Sequence, residues 1–397
     1  MATSGTSPHL SGASAPPARQ APAGECRLTV PAYERDDRVV MTLDAGGTNF
    51  RFLAVRAGRP VTPIVALPSN GDELPKCLAN LVEGFARVQK LCPEPPVAIS
   101  FVFPAPADYP LGVIGDLVNL PAFRGGVVLG PMLEQRFRIP VFINNDADMF
   151  VYGEALAGFL PYVNGLLEKA GSAKRFRNLF GVTLGTGFGS GITRNGEPFL
   201  GDNSMAGEIW LLRNKLRPET HVETSASIGG IRRVYAEKAG LAASQAPEPK
   251  EIFEIGLGQR PGDPAAAGEA FRQFGEIVGD AMAQALTLVD GLAVIGGGIS
   301  GAAPLFLPAL VNEINSTYLD PDGLPIRRLA QTAFNLEDPA QLQQFLAGEQ
   351  REIAVPGSQR KVLYDPLQRT GIGMSRLGTS EATALGAYAF ALRALDR

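Results

Sequence analysis

Histidine and cysteine are scarce in this chain. Its 397 residues include two histidines, His9 and His221, and three cysteines, Cys26, Cys77 and Cys92. Two isolated histidines nearly exclude both a Ser-His-Asp triad and a multi-histidine metal centre. The cysteines form no CxxC pair and no metal-binding spacing, which favours a reduced, cytoplasmic protein. Any general base should therefore be a carboxylate, or less readily a lysine or a tyrosine.

Runs of positive charge and long apolar stretches are also missing. The net charge is −4 and no run of Lys or Arg occurs, which argues against nucleic acid or an anionic membrane as a partner. No apolar stretch reaches transmembrane length. Residues 1–24 are mostly Ala, Ser, Pro, Gly and Thr, without the apolar segment of a signal peptide. We expect residues 1–38 to be a disordered tail, too irregular for a helix-turn-helix module.

From residue 39 onward, strand-like and helix-like patterns are mixed. The chain is long enough, and at 45% hydrophobic apolar enough, for two domains. Apolar runs predict strands at 39–43, 50–55, 61–67, 97–102, 112–118, 140–143, 179–184, 189–193 and 292–295. Helical periodicity predicts helices at 74–91, 128–137, 146–158, 268–289 and 301–315. This order is typical of an α/β protein with mixed sheets.

The most informative segment is a glycine turn that follows Asp44 and joins two of the predicted strands. Gly46 and Gly47 can adopt positive φ and present their N–H groups to phosphate oxygens. The Asp44 carboxylate would repel such a phosphate unless a cation lay between them, which predicts Mg²⁺. An ordinary hairpin turn is the alternative interpretation.

Two more glycine turns follow apolar strands, at Gly185-Thr186-Gly187 and at Gly296-Gly297-Gly298. The first is neither a Walker loop nor a dinucleotide fingerprint, because no Lys-Ser/Thr follows its glycines and a strand comes next. A bulged strand would explain the first of these turns structurally, and a compact strand-to-helix turn would explain the second. The turn after Asp44 and the turn at Gly185-Thr186-Gly187 each join two strands. We therefore expect two similar lobes that face one nucleotide.

The predicted strand at 140–143 carries Asn144, Asn145 and Asp146 at its carboxyl end, where ligands of α/β sheets collect. An aspartate that accepts a proton from a hydroxyl is sufficient for phosphoryl transfer, because positioning and charge neutralisation do most of the work. Alternatively, Asp146 is only the N-cap of the following helix.

These segments resemble sugar kinases of the hexokinase, actin and Hsp70 fold. The three glycine turns resemble, in chain order, the first phosphate, second phosphate and adenosine motifs of that fold. Asn145-Asp146 and Ala206-Gly207-Glu208-Ile209 resemble the ROK family (repressors, open reading frames and kinases). The resemblance implies two ribonuclease-H-like (actin-like ATPase) α/β lobes with mixed sheets and an interlobe cleft. It places a small lobe at 39–145, a large lobe at 146–379 and a final helix, 380–397, that packs back on the small lobe.

The resemblance also implies ligands and roles. Asp146 would remove a proton from a sugar hydroxyl, usually the 6-hydroxyl. The implied sugar contacts are Asn119, Asn145, Glu208 and Glu223. ATP and Mg²⁺ would be held by Asp44, Gly46, Gly47, Thr48, Asn49, Gly185, Thr186, Gly187, Gly297 and Gly298, with Asp44 reaching the metal through water. A homodimer is expected as well.

Two features depart from the family pattern. Trp210 and Leu211 replace its usual Gly-His pair, and only 14 residues separate Glu208 from Glu223, which leaves no room for the family's cysteine-rich zinc loop. We therefore expect no structural zinc, and His221 is either a substitute sugar contact or a surface residue. The segment at about 325–370 resembles an insertion without an assigned role.

Three function classes remain. The first is an ATP-dependent hexose kinase of the glucokinase or hexokinase type, with glucose favoured and fructose, mannose, allose or N-acetylmannosamine behind it. The second is a sugar-responsive transcriptional regulator of the same family, for which residues 1–38 supply no DNA-binding module. The third is a non-catalytic sugar-binding or actin-like assembly protein, which would not need Asn119, Asp146, Glu208 and Glu223 together.

Overall fold

The computed structural model describes residues 32–45, 48–103, 106–115 and 121–397. Across these ranges, every helix is too short or too polar for a bilayer span. The first part of the chain forms β1 (Val40–Ala45), β2 (Asn49–Arg56), β3 (Arg59–Pro60), β4 (Val65–Pro68), α1 (Leu74–Leu91), β5 (Ala98–Val102), β6 (Ala107–Asp108), β7 (Val113–Ile114), β8 (Val127–Val128), α2 (Leu129–Phe137) and β9 (Val141–Asn144).

The second part of the chain is longer and richer in helices. It forms α3 (Asp146–Leu156), α4 (Phe159–Lys169), β10 (Leu179–Leu184), β11 (Phe188–Arg194), β12 (Glu197–Pro198), α5 (Ile228–Ala239), α6 (Pro249–Gly256), α7 (Pro264–Val289), β13 (Leu292–Gly296), α8 (Ala303–Ile314), β14 (Thr317–Leu319), β15 (Pro325–Arg327), β16 (Thr332–Asn335), α9 (Pro339–Ala347), β17 (Arg351–Ala354), β18 (Lys361–Tyr364), β19 (Arg369–Met374) and α10 (Thr379–Leu395).

Two large sheets repeat one topology. The strand order is β3-β2-β1-β5-β9 in the first sheet and β12-β11-β10-β13-β19-β16 in the second. In each sheet, antiparallel strands joined by a glycine turn (β1–β2, β10–β11) are followed by parallel neighbours (β1–β5, β10–β13). The predictions of an α/β fold with mixed sheets and of two similar halves are confirmed. The lobe boundaries at 145 and 379 stay a prediction.

Most predicted elements are present, with differences at short strands. The helix predicted at 74–91 and the strand predicted at 179–184 match α1 and β10. The strand predicted at 61–67 begins only at Val65, and the one predicted at 112–118 is β7 (Val113–Ile114), with 116–120 outside the described residues. Within the segment at about 325–370, β16 belongs to the second sheet. The interpretation of this segment as an insertion stays a prediction.

Aromatic side chains fill the first core. α1 buries Leu81, Phe85 and Val88 along one face against the first sheet. The rings of Phe52 and Phe85 meet edge to face, with centroids 5.0 Å apart. The helical spacing of these apolar residues therefore gives α1 one apolar face, which covers the first sheet.

Helix α10 crosses α3 at two glycines. A Cβ added at Gly153 would lie 2.0 Å from the Ala382 carbonyl oxygen, and one at Gly386 would lie 2.0 Å from that of Met149. This close crossing also brings α10 onto β5, where the Ser100 hydroxyl donates to the Ala387 carbonyl oxygen at 2.7 Å. The last helix therefore joins the two sheets.

A buried carboxylate, Glu154, ties the end of α3 to two other segments. It is 0% exposed. Its Oε2 accepts the backbone N–H groups of Phe159 (2.7 Å) and Arg376 (3.2 Å). Its Oε1 accepts the Ser375 hydroxyl (2.5 Å) and the Leu377 N–H (3.1 Å). The start of α4 and the loop before α10 are thereby held at one point.

Glu154→Gln should lower the free energy of unfolding by about 3 kcal/mol, because the amide would turn an NH₂ group toward two of the four donors. Denaturant unfolding followed by circular dichroism measures the loss. Glu168→Gln, at an exposed position on α4, is the matched control and should change stability by less than about 0.5 kcal/mol. Equal stability of the two variants would contradict the role of Glu154.

Candidate active site

A cavity of about 370 Å³ lies where the end of β1, the start of α3 and the first turns of α10 meet. It contains two carboxylates, a guanidinium and several hydroxyls. The residues that line it are Thr42, Leu43, Asp44, Ala45, Arg51, Leu53, Ile64, Val102, Phe103, Asp146, Thr379, Ser380, Thr383, Ala384 and Ala387. Asp44 and Asp146, which are 102 positions apart in the chain, therefore face one space.

The β1–β2 hairpin supplies one wall of this cavity. Asp44 lies opposite Arg51 in the register of the two strands. Thr48 and Asn49 are exposed, whereas the predicted phosphate-binding Gly46 and Gly47 lie outside the described residues. The exposed Asp44 carboxylate suits Mg²⁺, which typically takes one or two carboxylates and completes its shell with phosphates and water. Within the described ranges, no three His, Cys, Asp or Glu side chains cluster as a metal site.

Asn145, not Asp146, is the N-cap of α3. Its side-chain oxygen accepts the N–H groups of Ala147 (2.8 Å) and Asp148 (3.4 Å). The alternative that Asp146 only caps the helix is therefore wrong, and its carboxylate lines the cavity at the first helical position. Burial raises the pKa of Asp146 above its usual value, and the hydrogen bond from the Ala147 N–H opposes that shift. Since the cavity keeps the carboxylate accessible to water, this desolvation is partial.

Asp148 is a third carboxyl that the sequence analysis did not find. It is 6% exposed, and its Oδ1 has no hydrogen-bond partner among the described residues. Burial first, and then the negative charges of Glu208 and Asp146, raise its pKa well above the usual range. No local pattern distinguishes it from a solvated residue in the first turn of a helix, because its burial comes from β11, where Gly191 packs against it.

The second glycine turn is closed by backbone contacts and by a carboxylate. The Gly185 N–H donates to the Gly187 carbonyl oxygen at 3.1 Å. The Phe188 N–H donates to Glu223 Oε2 at 2.8 Å, and a Cβ at Gly187 would lie 2.7 Å from that oxygen. Glu223, expected to contact sugar, thus lies against the turn that contains Thr186.

The third glycine turn packs on the end of β10. Gly297 has φ +92°, and a Cβ there would lie 2.3 Å from the Leu184 carbonyl oxygen, so no other residue fits without a shift. Its N–H donates to the Thr379 hydroxyl at 2.8 Å. A Cβ at Gly298 would meet nothing within 4 Å, so this side of the turn is open to a ligand. Thr379, which no motif marked, connects the turn to the cavity.

Glu208 is oriented by the residues that depart from the family pattern. The indole N–H of Trp210 donates to its carboxylate. The imidazole of His221 packs edge-on against Trp210, with ring centroids 5.4 Å apart. Since Glu208 affects the pKa of Asp148, its charge lies near the start of α3. The remaining predicted sugar contact, Asn119, lies outside the described residues.

Comparison with known proteins agrees with this arrangement. The chain is 53% identical to a glucokinase from Parabacteroides distasonis, with a TM-score of 0.83 over 91% of this chain and 99% of that one. It is 28% identical over 271 residues to an N-acetyl-D-glucosamine kinase from Vibrio cholerae, covering 65% of this chain and 83% of the relative. A ROK hexokinase from Thermus thermophilus shares the fold, with a TM-score of 0.62 at 20% identity over 90% of this chain and 100% of the other.

The family model that matches is the ROK family, and the match extends over residues 40–333. It includes the β1–β2 turn, the start of α3, both later glycine turns and the segment from Glu208 to Glu223. Because this match covers most of the chain and every segment that carried the resemblance, the protein belongs to the ROK family.

Proposed function

We propose that this protein is an ATP-dependent hexose kinase that transfers the γ-phosphate of ATP to the 6-hydroxyl of glucose or a related hexose. The observation that carries the proposal is the common cavity of Asp44 and Asp146, which joins a phosphate-binding turn to a base. The 53% identity with a protein named glucokinase supports the same activity. A sugar-responsive regulator would not require these two carboxylates to line one cavity.

In this proposal, the nucleotide lies along the three glycine turns. The turn at Gly185, Thr186 and Gly187, together with the β1–β2 turn, binds phosphate oxygens through the N–H groups of Thr186 and Gly187, because the Gly185 N–H is taken by the Gly187 carbonyl oxygen. The open side of Gly298 accommodates the adenosine. Asp44 would hold Mg²⁺ through water, and a metal held there would supply charge neutralisation for the transferred phosphoryl group.

Asp146 accepts the proton of the sugar 6-hydroxyl as this oxygen attacks the γ-phosphorus and ADP leaves. The two aspartates of α3 serve this step differently because their surroundings differ. Asp146 is open to the cavity and acts as the base in its ionised form. Asp148 is enclosed, and its burial together with the charges of Glu208 and Asp146 favours the protonated form, which lowers the negative charge beside the base.

The sugar contacts come from both sides of the start of α3. The Asn145 side chain is fixed because its oxygen accepts the Ala147 N–H as the N-cap of α3. The Glu208 carboxylate is fixed by the hydrogen bond from the Trp210 indole. Glu223 gives one oxygen to Phe188 and leaves Oε1 for a sugar hydroxyl. Asn119 completes the proposed set. Amides and carboxylates suit vicinal hydroxyls because each offers two directed hydrogen-bonding positions.

A sugar panel with coupled detection of ADP release tests this function. Glucose should be phosphorylated, and at least one of mannose, fructose and allose should also be accepted. Leu211 replaces a polar family residue, so one hydrogen bond worth about 0.5–1.5 kcal/mol no longer selects for a single sugar.

A metal chelator should abolish turnover by removing Mg²⁺, whereas a zinc-selective chelator should leave thermal stability unchanged. Activity with N-acetylglucosamine or N-acetylmannosamine alone would refute the hexose assignment, and no sugar-dependent ADP release would refute the kinase.

Asp146→Asn should lower kcat by about 10²-fold or more, the usual contribution of a general base. Glucose binding, measured by calorimetry, should largely persist, since the amide keeps one acceptor. In the wild type, kcat should fall on the acidic side as Asp146 takes up a proton. Asp72→Asn, at an exposed site before α1, is the control and should retain wild-type kcat. An unchanged kcat in the Asp146 variant would remove this residue from its role.

Asp148→Asn should raise the melting temperature at neutral pH. The folded pKa of Asp148 lies above the ordinary value of 3.8, so its contribution to stability is complete below that pH and falls as the pH rises toward the folded pKa. Asparagine stays neutral, so its advantage should grow with pH and disappear near pH 3.8. Melting curves of both proteins from acidic to neutral pH measure this, and a pH-independent difference would contradict it.

A further inference from the structure

Tyr109 is a buried tyrosine that no sequence motif marked. It lies in the turn between β6 and β7, is 7% exposed and packs in the aromatic core of the first sheet. The Gly112 N–H donates to the Tyr109 carbonyl oxygen at 3.1 Å, and the Gly130 N–H donates to the Gly112 carbonyl oxygen at 2.8 Å. Gly112 has φ +63°, and a Cβ there would lie 2.8 Å from the Gly130 Cα. The start of α2 therefore holds this turn, and Tyr109 with it, in place.

The phenol of Tyr109 lies at the carboxyl ends of β5 and β9. Its hydroxyl donates to the Phe103 carbonyl oxygen at 2.9 Å. The Phe103 N–H donates to the Asn144 carbonyl oxygen at 3.0 Å, so Phe103 connects the ends of the two strands. Asn145 follows directly in the chain, and its side chain is a hydrogen-bond partner of the phenol. Tyr109 thus contacts the residue that caps α3.

The direction of the contact between Tyr109 and Asn145 follows from the other hydrogen bonds of the two side chains. The Asn145 Oδ1 accepts the N–H groups of Ala147 and Asp148. The phenol gives its single hydrogen to Phe103. The Asn145 NH₂ group must therefore donate, and the phenol oxygen must accept. The pKa of Tyr109 agrees, because burial raises it and the hydrogen bond from Asn145 opposes that shift.

Three carboxylates lie near the phenol. Burial raises the pKa of Tyr109 most, and the negative charges of Asp146, Asp148 and Glu208 raise it further. The phenol therefore stays neutral at physiological pH and lies among groups that are proposed to accept the sugar proton and to bind sugar hydroxyls. A neutral hydroxyl at this place can fix an amide without adding a fourth negative charge.

On the basis of the hexose kinase function above, we propose that Tyr109 is a positioning residue for sugar binding, whose hydroxyl accepts one Asn145 N–H and directs the other toward a sugar oxygen. Asn145 is then a donor to the sugar, whereas the nearby carboxylates accept from sugar hydroxyls. Without the phenol hydroxyl, the amide keeps the hydrogen bonds of the helix cap and loses the one that fixes its NH₂ group.

Tyr109→Phe tests this role, because it removes the hydroxyl and keeps the ring in the core. The KM for glucose should rise about five-fold, the scale of one lost hydrogen bond. The dissociation constant of glucose, measured by calorimetry without nucleotide, should rise equally. The KM for ATP and kcat should change by less than about two-fold, because the lost interaction contributes to sugar binding and not to the transition state alone.

Tyr388→Phe is the matched control. Tyr388 is 0% exposed, its hydroxyl accepts the Ala57 N–H at 2.9 Å, and it is not among the residues that line the cavity. Both variants should lose similar stability in thermal melts, and only Tyr109→Phe should lose glucose affinity. Reduced stability of Tyr109→Phe with unchanged glucose affinity would show a purely structural role and overturn the proposal.

Asn145→Ser tests whether Tyr109 acts through Asn145. Serine is a favoured N-cap residue but has no amide N–H groups. In this background, Tyr109→Phe should change the dissociation constant of glucose by less than about two-fold, because the contact is already absent. Effects of the two substitutions that simply add would overturn the coupling.

The binding measurement separates the role of Tyr109 from the kinase function. Glucose binding without ADP release in the wild type would refute the kinase, and the comparison of glucose affinities would still decide the role of Tyr109. Turnover of glucose with equal affinities in the wild type and Tyr109→Phe would refute the role of Tyr109 alone.

Discussion

The hydrogen bonds of one buried carboxylate, Glu154, fix the segments that build the cleft. It lies in the last turn of α3, accepts the Phe159 N–H at the start of α4 and accepts hydrogen bonds from Ser375 and Leu377 in the loop before α10. That loop leads directly into α10, whose first residue, Thr379, binds the Gly297 N–H and lines the cavity. A displacement of Glu154 would therefore affect the positions of both Asp146 and the third glycine turn. At the glycine crossing of α3 and α10, the two backbones pack directly against each other, so a side chain at either glycine would not fit.

The chemistry of the site depends on different surroundings for similar side chains. Asp146 and Asp148 are two positions apart on α3, yet one faces the cavity and the other packs against β11. Asp146 is accessible from the cavity, whereas burial beside Glu208 favours the protonated form of Asp148. Asp44 differs again, because it lies near the end of β1, where its exposed side chain lines the cavity. One small cavity thus contains two carboxylates that lie in different surroundings.

Departures from the family pattern are compensated by nearby contacts. Trp210 and His221 fall where other residues were expected, and together they brace Glu208 through an indole hydrogen bond and a ring contact. The segment near 325–370 is mixed, since β16 belongs to the second sheet while β17 and β18 form a separate two-stranded sheet.

Local patterns in the sequence determined the elements, the α/β class, the glycine turns and the family, because turn chemistry and apolar periodicity act over a few residues. They also indicated Asp44 and Asp146 as the residues of interest, although only the fold brought these two into one cavity. The burial of Asp148, the role of Thr379 and the contact of Glu223 with Phe188 were decided by tertiary structure. Each depends on elements that approach from distant parts of the chain, and burial of a carboxyl group is set by those neighbours rather than by its own segment.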